Sequence, residues 1–173
     1  MDERKVYEYI RYNRYGVLRP SPGLWLTLLF QCRHVIGIGL VAMASGRGGR
    51  AASGNIDLSE FGHILNPLFV LADAPALLLL LALAARTPGA GALPRFLWRH
   101  GRLLLLLSAA LYSALFFNYM PEQLGARRFA DWLGLSGTTA VVAYTVMAHY
   151  LRDLFADFPA APTKSMPRDT KSN

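Results

Sequence analysis

The sequence predicts an all-α integral membrane protein, a bundle of four transmembrane helices with both termini in the cytoplasm. Two observations carry this expectation. First, apolar residues make up 53% of the 173 positions and charged residues only 17%, and the apolar ones are gathered into blocks. A helix crosses a hydrocarbon core of about 30 Å with roughly 20 mostly apolar residues at about 1.5 Å each. Residues 24–45, 64–85, 103–120 and 134–151 meet that requirement, the last two near the short limit. Second, Lys and Arg lie almost entirely between these blocks. Five precede the first, two, four and two fall in the successive connections, and four follow the last. Alternate segments therefore hold thirteen against four, and because cytoplasmic segments carry the excess, the termini and the connection 86–102 are assigned to the inside. A net charge of +7 would also suit nucleic acid, but no single soluble face collects it, so no nucleic-acid partner is expected.

Residues 1–23 interleave Tyr7, Tyr9, Tyr12 and Tyr15 with Lys5, Arg11, Arg14 and Arg19. Tyrosine favours the headgroup layer, and each basic side chain near acidic lipid contributes on the order of 1 kcal/mol. This segment is therefore expected to rest on anionic lipid headgroups. Gly16, Pro20, Pro22 and Gly23 stop any helix ahead of the first span. That span, 24–45, is interrupted by Gln31-Cys32-Arg33-His34. Ala42-Met43-Ala44 matches a signal-peptidase pattern, but the apolar run is too long and too far from the first residue for a usual signal core, so it reads as a span. Cys32 is the single cysteine, which rules out a disulfide framework within the chain.

The order Tyr12-x-x-Tyr15-Gly16-x-Leu18-Arg19-Pro20, then Leu24-Trp25, then Arg33-His34 inside the first helix resembles the YfeZ-like family of small bacterial inner-membrane proteins. The resemblance implies a bacterial inner (cytoplasmic) membrane and several helical spans. That family is functionally uncharacterised, so the resemblance implies no catalytic residue.

After the first span, the glycines and serines of residues 46–55 predict a loop. Asp57 and Glu60 have capping-box spacing, and with His63 they fall on one helix face. Carboxylates at a helix start are ordinarily held by the helix dipole, so no metal site is expected there. Asn66-Pro67 opens the second span, in which Asp73 precedes Pro75 by two residues. That proline leaves the carbonyl of Leu71 without its usual donor, making a polar notch in a leucine-rich helix. The connection 86–102 is basic, and its Phe96-Leu97-Trp98 is expected on the membrane surface. The third span carries Ser108 and Tyr112 one turn apart. In the fourth, Gly134, Gly137 and Ala140 form a small-residue face for close helix packing. Residues 152–173 are expected to be a mostly disordered cytoplasmic tail.

Arg33 and Asp73 are the charges within the spans. Helical rise places them about 14 Å and about 18 Å into the membrane, and helices joined by one loop usually pack together. An unpaired charge at that depth costs at least about 2.5 kcal/mol. The expectation is an Arg33–Asp73 ion pair with Gln31, His34 and Tyr112 beside it. Such a group either fixes helix register or lines a route for protons or a small anion. His34, His63, His100 and His149 lie at unequal depths, so neither haem nor another cofactor is expected. No nucleophile with a base, metal-binding histidine pair or phosphate loop occurs at usable spacing. The functional expectation is therefore non-enzymatic: a small subunit, assembly factor or scaffold of a membrane complex, with a membrane-protein partner or homo-oligomer. The alternative is a small transporter or proton- or anion-conducting protein centred on Arg33 and Asp73.

Overall fold

The computed structural model describes residues 11–13, 15–47, 67–119 and 129–159. The expected loop with Asp57, Glu60 and His63 lies outside the described residues, as do Lys5, Tyr7, Tyr9, Arg14, Asn66 and the tail beyond residue 159. Among the described residues all regular elements are helices: α1 (Pro22–Gln31), α2 (Arg33–Arg47), α3 (Pro67–Ala84), α4 (Ala92–Arg99), α5 (Gly101–Tyr119), α6 (Phe129–Met147) and α7 (His149–Ala156).

The chain approaches α1 through a tight turn. Gly16 has φ +69°, a left-handed value that suits glycine, and the Asn13 side chain accepts from the N–H groups of Tyr15 and Val17. Tyr12 and Leu18 pair across the turn as an isolated antiparallel bridge. Val17 and Leu18 are buried, so this segment is packed into the fold as well as carrying aromatic and basic residues. Ser21 then caps α1, its Oγ accepting from the N–H of Leu24 at 3.2 Å, with Pro22 in the first turn where no amide donor is needed.

The stretch expected as one span over 24–45 is divided. Helices α1 and α2 meet at Cys32 with a bend of 67°. The last bond of the first helix joins the Cys32 N–H to the carbonyl of Leu28, and the second helix resumes with the Ile36 N–H bonded to the carbonyl of Cys32. The stretch expected over 134–151 is divided too: α6 ends at Met147, Ala148 is extended, and α7 starts afresh at His149. Helix α3 runs through Pro75.

Helices α3 and α5 form the most extensive contact, with α6 against α5 and α4 against α3. Two apolar clusters result. One joins Leu18, Leu24, Leu28, Leu79, Trp98, Leu105, Leu151, Leu154 and Phe155; the other joins Phe69, Ala72, Tyr112 and Phe116. Between them along α3 and α5 lie Asp73 and Ser108. Polar side chains are inside, with Gln31, His34, Asp73, Arg86, Ser108, Thr138 and Thr145 all buried, while Leu26, Leu40, Leu71, Leu81, Leu103 and Met147 are each more than 60% exposed. Among the described residues one helix, over Gly101–Asn118, is long and apolar enough to cross a membrane, and a third of it is buried. The bent pair α1 and α2 passes the same test when taken together, and α3 and α6 contain shorter apolar stretches.

A second polar centre closes the end of the molecule where α1 begins and α7 finishes. The Arg86 guanidinium, just past α3, donates to the carbonyls of Leu18 and Asp157, both at 2.6 Å, and stacks over Trp98 at 4.5 Å. The Trp98 indole N–H is shared between the carbonyls of Leu154 (3.0 Å) and Asp157 (3.1 Å). The Asp157 carboxylate accepts from the Leu18 N–H at 2.8 Å. Burial pulls the Arg86 guanidinium below its ordinary pKa and the nearby Asp157 carboxylate opposes that, yet arginine starts so high that it stays cationic. Trp98, expected on a membrane surface, is fully buried here. A donor fork and an indole N–H together satisfy the carbonyls of Leu18 and Asp157, which lie outside the helices.

Candidate functional site

The break between α1 and α2 builds the site. A new helix starting inside a packed bundle brings N–H groups that its own first turn cannot satisfy. Asp73, 1% exposed on α3, supplies the acceptors. One carboxylate oxygen accepts from the backbone N–H groups of His34 and Val35, each at 3.0 Å, and the other meets the His34 ring Nδ1 at 2.8 Å. The carboxylate meets three nitrogens at the start of α2, where the positive end of the helix dipole favours it. Asp73 is thus an N-terminal cap delivered from another helix.

The partner expected for Asp73 is corrected accordingly: it is His34, not Arg33. Adjacent residues on a helix point about 100° apart, so only one of the two can face α3. At the first turn of α2 both the backbone N–H and the ring of His34 reach the same carboxylate. Arg33 turns away. Its Nη1 donates to the carbonyl of Phe30 at 2.9 Å, and its guanidinium lies over the rings of Tyr112 (4.1 Å) and Phe30 (4.3 Å). The Arg33 Nη2 is buried with no hydrogen-bond partner.

Of the other expected pathway residues, Tyr112 lies beside His34, the two rings stacked at 5.7 Å, and Phe69 packs against both. The Gln31 amide donates to the carbonyl of Leu105 at 3.3 Å. The Ser108 hydroxyl donates to the carbonyl of Ala72 at 2.7 Å, bracing α3 beside Asp73. His34 uses Nδ1 on the carboxylate, which leaves Nε2 as its remaining functional nitrogen.

Of the expected packing face on α6, two residues seat neighbours from this same chain. A Cβ at Gly137 would run into the Phe30 ring, and one at Gly134 would come within 2.5 Å of the Tyr112 hydroxyl and 3.9 Å of Arg33 Nη2. Ala140 is exposed. The clasp residues Arg86, Trp98 and Asp157 stand outside the expected site altogether. The signal for them is an arginine and a tryptophan flanking a turn between two apolar blocks, which composition alone merges into a basic connector. His100 and His149 lie apart from the site, His100 being bound to the carbonyl of Phe96 at 2.8 Å.

No curated protein and no solved structure matches this chain. A family match covers residues 7–157, which include both helices of the break, the Asp73 cap and the Arg86 clasp, and by it the chain belongs to the DUF2919 family of proteins of unknown function.

Proposed function

We propose that this chain is a multi-pass protein of the bacterial inner membrane, acting without catalysis as a small subunit, assembly factor or scaffold of a membrane complex. Four spans are formed by the α1–α2 pair, α3, α5 and α6. Three features support that topology: the polar interior under an apolar exterior, the distribution of Lys and Arg, and the Arg86 clasp. The clasp joins Leu18 ahead of α1, Arg86 past the end of α3 and Asp157 past the end of α7 at one face, as an even number of crossings requires. The YfeZ-like resemblance adds the inner membrane, and the basic, tyrosine-bearing start of the chain fits anionic headgroups.

The observation that carries the architectural reading is the complete use of Asp73 within the chain. All three of its partners are internal, so the buried acid holds a helix break closed. Native mass spectrometry of the tagged protein, drawn from its host membranes in mild detergent, tests the reading. A stoichiometric hetero-complex is expected. A clean monomer or homo-oligomer would move the weight to the second reading.

That second reading is a small transporter or proton- or anion-conducting protein, and the broken helix favours it. Non-helical backbone at membrane depth is tolerated where it is enclosed in protein or lines a cavity, and transporters place substrates at such breaks. On this reading Asp73→Asn in reconstituted vesicles keeps insertion and abolishes flux.

A further inference from the structure

We propose that Arg33 and Tyr112 form a binding site for a small monovalent inorganic anion of halide size, set against Gly134 of α6. The site goes beyond the scaffold reading and holds whether or not the chain has a protein partner. It begins from a charge imbalance. The acid expected to neutralise Arg33 is committed to His34 and the α2 N-terminus, and among the described residues no carboxylate forms an ion pair with Arg33. Its guanidinium is held by ring faces and one backbone carbonyl, which fix its orientation and leave Nη2 buried and unpartnered.

A second donor points the same way. Tyr112 is 7% exposed, and among the described residues its hydroxyl makes no hydrogen bond. That hydroxyl and Arg33 Nη2 both lie within 4 Å of one point, the position of the absent Gly134 Cβ. The Tyr112 hydroxyl fills the space that Gly134 leaves, and beside it two donors and a net positive charge are complementary to a compact acceptor. A halide accepts from both without needing the planar two-pronged geometry of a carboxylate. It also neutralises a cation at a depth where solvation is poor.

The test uses the purified full-length chain in detergent, with thermal unfolding followed in sodium chloride, sodium bromide and sodium gluconate at constant ionic strength. The expected result is a saturable rise in the midpoint with chloride or bromide and none with gluconate. Tyr112→Phe keeps the ring under Arg33 and removes one donor to a charged ligand, which should raise the half-saturating halide concentration roughly tenfold or more. Arg99→Ala, on the exposed side of α4, should leave it unchanged. Equal midpoints in halide and gluconate would overturn the proposal, as would a halide effect that Tyr112→Phe leaves intact. If Tyr112→Phe fails to fold, bromide binding to the unaltered chain by equilibrium dialysis decides: one saturable site supports the proposal and none overturns it.

Discussion

Replacing Asp73 separates a helix cap from an ion pair. Asp73→Ala removes the acceptor for the N–H groups of His34 and Val35, both 3.0 Å from one carboxylate oxygen. An unsatisfied buried donor costs about 1–3 kcal/mol, so two amount to roughly 2–6 kcal/mol. Loss of the charge at the α2 N-terminus adds up to about 2 kcal/mol. Asp73→Asn retains an oxygen in the capping position and loses only the charge assistance, so it should cost about 1–2 kcal/mol. The two variants should therefore differ widely in the temperature at which the detergent-solubilised protein loses its monodisperse elution peak. Cys32, 3% exposed at the break, gives an independent readout, because its labelling by a maleimide should follow opening of this junction.

Double substitutions sharpen the point. If Asp73 served Arg33, removing both would rescue the loss caused by either. A cap predicts no rescue, since the backbone N–H groups stay unsatisfied whatever happens to Arg33, and Arg33→Ala with Asp73→Ala should be close to additive. His34→Ala removes the ring contact and should couple to Asp73→Ala by about 1 kcal/mol. The reasoning fails if Asp73→Asn is as damaging as Asp73→Ala, or if the Arg33 double variant is more stable than Asp73→Ala alone.

Gly137→Ala should lower stability by about 1–3 kcal/mol, because the new methyl enters the Phe30 ring, whereas exposed Ala140→Leu should leave the isolated protein within about 0.5 kcal/mol of its parent. If a partner packs on that face, Ala140→Leu should instead release it during co-purification. Arg86→Lys replaces a two-armed donor by a single ammonium and should lose one of the two carbonyls at 2.6 Å, costing about 1.5–3 kcal/mol; cleavage near residue 19 in limited proteolysis should speed up accordingly. Reporter fusions should place both termini and residue 90 on the cytoplasmic side and residues 50 and 124 on the other. A cytoplasmic signal from either loop would remove the four-span reading.

How much of this was legible in the sequence depends on how far apart the deciding residues are. The apolar blocks and their approximate limits follow from local composition, and α3 and α5 fall within a few residues of them. The site was half legible. Arg33, His34, Asp73 and Tyr112 do stand together, because depth along a helix follows from residue number. Direction around the helix does not: matching depth pointed to Arg33 as the partner of Asp73, although the adjacent His34 is the one that faces it. The choice falls to His34, whose backbone N–H and ring both face the carboxylate, and a helix starts at residue 33 because Asp73 takes the free N–H groups of His34 and Val35. The break and the pairing are therefore one event, each unreadable without the other. The same holds at the clasp, where Arg86 is one cation among four in a basic connection until the folded chain brings it the carbonyl of Asp157, 71 positions on. Both misses involve backbone groups satisfied by distant side chains. A periodic pattern of side chains cannot carry that information, since an N–H or carbonyl looks the same at every position.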